Sequence, residues 1–171
     1  MSLLNVPIGA NAPETVNVIV EIPRMSSNKY EMDPELGVMR LDRVLYSPLH
    51  YPFDYGFVPQ TKYLDGDPVD VLVLVSNPTF PGVVVDAHPI GVMEMRDEGK
   101  PDEKVICVAS KDPRFGYRRT LEELNRHTML EVQHFFEVYK QLENKTVEIL
   151  GWKGRDEALR IIREYSLVEI G

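Results

Sequence analysis

Apolar and polar positions alternate with a period of two through most of the chain, and only its last third carries helical spacing. Val16, Val18, Val20 and Ile22 alternate with Asn17, Ile19 and Glu21, which predicts a strand over 16–22 with Glu21 on the less apolar face. After the polar loop Ser26-Ser27-Asn28, alternation through Lys29, Tyr30, Glu31 and Met32 puts Lys29 and Glu31 on one face of a second strand. A third, over 38–44, carries Arg40, Asp42 and Arg43, and the three together read as a β-meander. Between 46 and 63, prolines remove amide donors and argue against a central strand, while the aromatics predict a rigid packed loop. There Tyr51, Phe53 and Phe57 suit core filling, whereas Tyr55, followed by Gly56, can present its hydroxyl to an anion. The run Val71-Leu72-Val73-Leu74-Val75 reads as a buried strand, and further strands are expected over 83–85, 90–95, 105–109 and 146–150. Thr120-Leu121-Glu122-Glu123 is a capping-box pattern. A helix is predicted over 126–143, with Val132, Phe135 or Phe136, Tyr139 and Leu142 at helical spacing, and a shorter amphipathic one over 156–165 buries Leu159 and Ile162. Many strands followed by isolated helices imply an α+β chain whose antiparallel sheet curls into a barrel, with the main helix over one opening.

Chemistry concentrates just before the buried strand, in Asp65-Gly66-Asp67-Pro68-Val69-Asp70. Carboxylates this close repel and resist desolvation, so they must be solvated, matched to cations or bound to metal. Asp-Gly and Asp-Pro are also turn signals, which makes a solvated turn the competing reading. If Asp70 begins the strand, it shares a face with Leu72 and Leu74, and Asp65 and Asp67 hang in the loop above it. Oxygen-only ligands suit a hard cation such as Mg2+, which keeps several water and phosphate ligands. An EF-hand does not fit, because its sixth and twelfth positions would be Asp70 and Ser76. A second acidic stretch, from Asp97 and Glu98 to Asp102 and Glu103, has Gly99 and Pro101 as hairpin signals and reads locally as a solvated tip. Lys29, Glu31 and Arg43 on neighbouring strands read locally as a surface ion-pair ladder. His50, His88, His127 and His134 are too widely spread for metal-ligand spacing.

With 171 residues, 43% of them hydrophobic, the chain is long enough for one well-buried core, and 1–171 is expected to be a single domain. A formal net charge of −8 argues against a nucleic-acid sheath. No run of eighteen apolar residues occurs, and Met1-Ser2-Leu3-Leu4-Asn5 lacks the regions of a signal peptide, so a cytoplasmic protein without membrane attachment is expected. The single cysteine, Cys107, lies in an apolar run; it has no internal disulfide partner and reads as a small core residue.

Several segments, in order along nearly the whole chain, resemble the soluble family I inorganic pyrophosphatases of the bacterial and archaeal type. Asp65-Gly66-Asp67-Pro68-Val69-Asp70-Val71 is similar to the family signature. Glu21-Ile22-Pro23, Asn28-Lys29-Tyr30-Glu31, Leu41-Asp42-Arg43, Tyr51-Pro52 with Asp54-Tyr55-Gly56, Asp97 and Asp102 with Lys104, and His134-Phe135-Phe136-Glu137 through Tyr139-Lys140 resemble further family segments. The loop 110–119, with Arg114, Arg118 and Arg119, and Val138 depart from the family pattern outside these motifs. The resemblance implies a five-stranded OB-type barrel with flanking helices, Mg2+ dependence, pyrophosphate as substrate, and a homohexamer built as two trimers.

Given that resemblance, the residue types divide into roles. Pyrophosphate offers no base or sugar to grip, so charge and oxygen geometry must bind it. Asp65, Asp70, Asp97 and Asp102 are expected to hold Mg2+, with Glu21 and Glu31 holding an additional ion through water. Metal lowers the pKa of a water, so no Ser or Cys nucleophile is required, and Asp67 is the expected general base. Lys29, Arg43, Tyr55, Tyr139 and Lys140 are expected on the phosphoryl oxygens, and Lys104 on substrate or against the acidic loop. Two rivals are a non-catalytic OB module that stacks single-stranded nucleic acid on the aromatics from Tyr51 to Phe57, and a metal-dependent nucleotide hydrolase. The net charge tells against the first, and no base-stacking pocket is legible for the second.

Overall fold

The computed structural model describes residues 2–171; Met1, the first residue of the N-terminal stretch that lacks the regions of a signal peptide, lies outside them. The strands are β1 (Val16–Ile22), β2 (Asn28–Asp33), β3 (Val38–Val44), β4 (Asp54–Val58), β5 (Val69–Leu74), β6 (Val84–Asp97), β7 (Lys100–Pro101), β8 (Lys104–Ala109) and β9 (Val147–Gly154). The helices are α1 (Arg126–Val138) and α2 (Arg155–Glu164). Pairing runs β1-β4-β5-β8-β6, and β6 returns to β1, so five strands close a ring. Closure removes the sheet edges that an open sheet would expose. The α+β barrel with two flanking helices agrees with the expectation, with one difference: β5 and β8 pair in parallel.

Three expectations about the strands change as well. The opening is no meander, because β1 pairs with β4 and β6 while β2 and β3 form a two-stranded sheet of their own. Asp54–Val58 is a central strand after all: Pro52 and Pro59 bracket it, and none of its five residues lacks an amide donor. The two strands expected over 83–95 are one long strand, β6, whose pairing with β8 shifts register between Pro89 and Gly91 and so absorbs the proline.

Alternate residues of the ring strands serve two apolar clusters. Val71 and Val73 of β5 join Val105 and Cys107 of β8 and Ile161 and Ile162 of α2, while Leu72, Leu74, Ile106 and Val108 pack with Phe135 and Phe136 of α1. Helix α1 starts where Asn125 accepts a hydrogen bond from the His127 amide at 2.8 Å. It ends five residues before the expected boundary, and a 3-10 turn over Gln141–Glu143 leaves Leu142 exposed rather than on the apolar stripe. Thr120 begins another 3-10 turn, Leu121–Glu123, with its hydroxyl on Glu123 rather than on a helix amide. The basic loop is bonded to itself: Arg119 donates to the Gly116 and Arg118 carbonyls, and Arg118 lies over the Tyr117 ring.

Candidate active site

The parallel register pairs Val71 with Val105, so the residues preceding them, Asp70 and Lys104, stand side by side at one end of β5 and β8. The Lys104 side chain is 3% exposed, and its Nζ donates to Asp70 Oδ2 at 2.7 Å, Asp102 Oδ1 at 2.8 Å and the Tyr55 hydroxyl at 2.9 Å. An ammonium has three donors, so each is engaged within the protein. Burial alone would lower the Lys104 pKa; Asp70, Tyr55 and Asp102 together hold it well above its ordinary value. Tyr55 reaches this point from β4, which lies against β1 because residue 56 is glycine: a Cβ there would come within 2.0 Å of the Ile19 carbonyl oxygen. Burial, and next the Asp70 charge, push the Tyr55 phenol well above its usual range, so it stays a neutral hydroxyl.

Around this pair opens a cleft of about 350 Å³. Eight carboxylates line it, those of Glu21, Glu31, Asp65, Asp67, Asp70, Asp97, Glu98 and Asp102, against four lysines, Lys29, Lys100, Lys104 and Lys140, a formal excess of four negative charges. Tyr30, Tyr55 and Tyr139 complete the lining named here. Every residue expected at the site is thus brought to one cleft except Arg43, which lies outside the lining. Its Nη1 donates to Asp42 at 2.8 Å, and its Nε lies 3.1 Å from Glu143. Lys29 pairs with the same Asp42 oxygen at 3.2 Å, so the ion-pair ladder read locally exists, and two of its members, Lys29 and Glu31, also face the cleft.

Asp65 and Asp67 occupy a built turn. The Asp67 amide donates to Asp65 Oδ1 at 3.0 Å, Tyr63 donates to the Asp67 carbonyl at 2.7 Å, and Gly66 takes a φ of +90° open to few other residues. Partial desolvation, then the charges of Asp65, Glu31 and Asp70, raise the Asp67 carboxyl above its ordinary value, which suits a proton acceptor. Glu21 is buried on β1 and accepts from the Met32 amide at 2.8 Å; burial outweighs that bond and pushes its pKa up to about 8.

Glu98, Lys100 and Tyr30 line the cleft without having been expected there. Glu98 and Gly99, with φ of 50° and 80°, turn β6 into β7 and swing the acidic tip inward, a closure that no local charge pattern encodes. Alternation predicts Tyr30 on the face opposite Lys29, but β2 shifts register against β3 between these two residues, which breaks the alternation. Glu103 is outside the lining and accepts from the Tyr63 hydroxyl at 3.0 Å. Tyr51 and Phe53 are each 1% exposed and packed on Phe135, so they offer no stacking surface to a nucleic acid.

The donor set suits a hard cation. All eight acids offer oxygen alone, and Asp97, whose Oδ2 pairs with Lys140, leaves its buried Oδ1 without a hydrogen-bond partner. Among the described residues no three His, Cys, Asp or Glu side chains converge as a closed cage. That combination fits Mg2+, which takes one or two carboxylates and fills its shell with water and phosphate oxygens, better than it fits a metal requiring an all-protein cage.

Comparison with known proteins gives a consistent picture. The family model described as inorganic pyrophosphatase matches residues 18–167. The inorganic pyrophosphatase of a Synechocystis species is 48% identical over 164 residues, covering 96% of each chain. That of Methanosarcina acetivorans is 50% identical over 148 residues, 86% of this chain and 88% of the relative. The crystal structure of inorganic pyrophosphatase from Thermus thermophilus is similar at a TM-score of 0.91 and 44% identity, covering 95% of both chains.

Proposed function

Since the chain belongs to the inorganic pyrophosphatase family and hydrolyses pyrophosphate to phosphate, we propose that it works as a Mg2+-dependent enzyme in which Asp67 accepts the proton of the attacking water. The observation that carries this reading is the cleft in which eight carboxylates face four lysines and the buried Asp97 Oδ1 stands unpartnered. So acidic a cleft attracts a polyanion only when cations enter with it. Asp65, Asp70, Asp97 and Asp102 would hold Mg2+, and Glu21 and Glu31 a further ion through water. When bound, Mg2+ supplies positive charge on the phosphoryl oxygens and a water of lowered pKa.

The remaining work falls to side chains of this chain. Lys29, Lys140, Tyr55 and Tyr139 hold phosphoryl oxygens, and Arg43 reaches them from beside the cleft, two oxygens at once. Charge growing on the leaving phosphate is met by the same donors, which the fold has already oriented. Lys104 offsets Asp70 and Asp102 and adds its charge at the base of the cleft. The attack is direct, without a covalent intermediate: Cys107 is buried in an apolar cluster, and burial holds its thiol well above its usual range.

The same proposal treats residues 1–171 as one pyrophosphatase domain, because β5, β6 and β8 contribute to both apolar clusters. It places the protein in the cytoplasm, since a fold with one free cysteine needs no oxidising compartment. It also takes the working assembly to be a homohexamer of two trimers, checked by light scattering after size exclusion. The deciding experiment measures phosphate release from pyrophosphate and from ATP, each with Mg2+ and with excess chelator. Two phosphates per pyrophosphate with Mg2+, little release from ATP and none under chelator are expected. Substantial turnover under chelator overturns the metal dependence.

A further inference from the structure

Beside the cleft, a second carboxylate lies against Arg43. Glu143 stands on the 3-10 turn Gln141–Glu143 with its side chain 7% exposed; its Oε1 forms an ion pair 3.1 Å from Arg43 Nε, and neither that buried Nε nor the buried Glu143 Oε2 makes a hydrogen bond. A charge pair taken out of water this far gains little net stability over apolar packing, so stability is a weak reason for Glu143 to be there.

Its position offers a better one. The turn follows directly on Tyr139 and Lys140, and the Glu143 and Lys145 amides both donate to the Lys140 carbonyl, at 3.0 and 3.3 Å. Asn144, with a left-handed φ of 55°, closes the turn. Glu143 therefore extends from the segment that carries two residues of the cleft lining to β3 of the separate two-stranded sheet, where Asp42 ties Arg43 to Lys29. Arg43 is in turn close enough to Tyr51 and Tyr139 for its charge to act on both phenols. A guanidinium hydrogen-bonded to Asp42 through Nη1, with the Glu143 charge 3.1 Å from its buried Nε, has lost rotamer freedom before a substrate arrives.

We propose that Glu143 is a positioning residue: it touches no substrate, but it fixes the Arg43 guanidinium for phosphoryl oxygens and couples the β2–β3 sheet to the Tyr139-Lys140 segment. This rests on the reading of Arg43 as a substrate ligand, and the test separates the two. Steady-state hydrolysis of pyrophosphate with Mg2+ is compared for the parent, Glu143→Gln, Arg43→Ala and the double variant, with Glu143→Asp as the conservative replacement. Glu143→Gln should lower kcat/KM by about tenfold, the scale of coupling between charges in contact. The same change in the Arg43→Ala background should add less than about twofold, and Glu143→Asp should recover part of the loss, neither of which a general packing defect would produce. If Glu143→Gln does not fold, Glu143→Asp carries the same comparison in both backgrounds. Parent-like kinetics for Arg43→Ala overturn the substrate role of Arg43 and this proposal with it. An impaired Arg43→Ala beside a parent-like Glu143→Gln, or an equal loss in both backgrounds, overturns the positioning role alone.

Discussion

With its ammonium buried and bonded to Asp70, Asp102 and Tyr55, Lys104 cannot be neutralised without stranding two carboxylates that it now offsets. Lys104→Met is therefore expected to lower the free energy of unfolding near pH 7 by about 3 to 5 kcal/mol, measured by urea denaturation without metal. Lys100→Met, exposed at the start of β7 on the rim of the cleft, should change it by less than about 0.5 kcal/mol. Asp67 sits at the opposite extreme: it is exposed, and what holds its loop are the Asp67 amide and carbonyl rather than its carboxylate. Asp67→Asn keeps those bonds and removes the proton acceptor. It should reduce kcat by about 10²- to 10⁴-fold with the thermal midpoint unchanged. A kcat equal to the parent's would remove Asp67 from the base role.

At the scale of elements, the loop after β8 is tied to the end of β5 by a single carboxylate. Asp112 accepts from the Ser76 amide at 2.6 Å, the Ser76 hydroxyl at 2.8 Å and the Arg114 amide at 2.9 Å, and so pins the loop to the chain leaving β5. Burial pushes its carboxyl up, but the Arg114 and Ser76 bonds outweigh that and hold the pKa below its ordinary 3.8. The sign follows: a carboxyl with a lower pKa folded than unfolded adds stability that is fully present above about 3.8 and fades as pH falls from there through the folded value. Urea unfolding of the parent and Asp112→Asn should differ most above pH 5 and converge toward pH 2. A gap that stays constant across this range would mean that the Asp112 charge does not hold the loop. Helix α1 shows the opposite economy, since its early end at Val138 frees the Tyr139-Lys140 segment to face the cleft.

Across the whole molecule, the cleft joins segments far apart in the chain: Asp65 and Asp70 around the start of β5, Asp97 and Asp102 around the β6–β7 tip, and Glu21 on β1. A cation held by several of these binds the folded chain and not the unfolded one, and stabilises it by about 2.7 kcal/mol at a hundred times its dissociation constant. The thermal midpoint should therefore rise with millimolar Mg2+ at fixed ionic strength. Asp102→Asn should flatten that rise, while Glu103→Gln, whose carboxylate bonds to Tyr63 away from the cleft, should leave it unchanged. Equal Mg2+ responses in the three proteins would exclude Asp102 as a ligand.

The sequence by itself determined the strands at 16–22 and 38–44, the short final helix, and the core placement of Tyr51, Phe53, Phe57 and Cys107, because burial and period are local properties of a chain. It also marked, through its resemblance to a family, nearly all of the acids and cations that the cleft gathers. Only the tertiary structure decided the rest. Asp54–Val58 became a barrel strand because β1 and β5 supply partners for its amides, which no count of nearby prolines can reveal. Glu98 and Lys100 moved from a solvated tip into the cleft because β6 and β7 turn back above β5. Arg43 and Glu143 met because the turn after α1 comes down on a sheet built 100 residues earlier, and contacts over such separations are set by packing of whole elements rather than by any pattern within one.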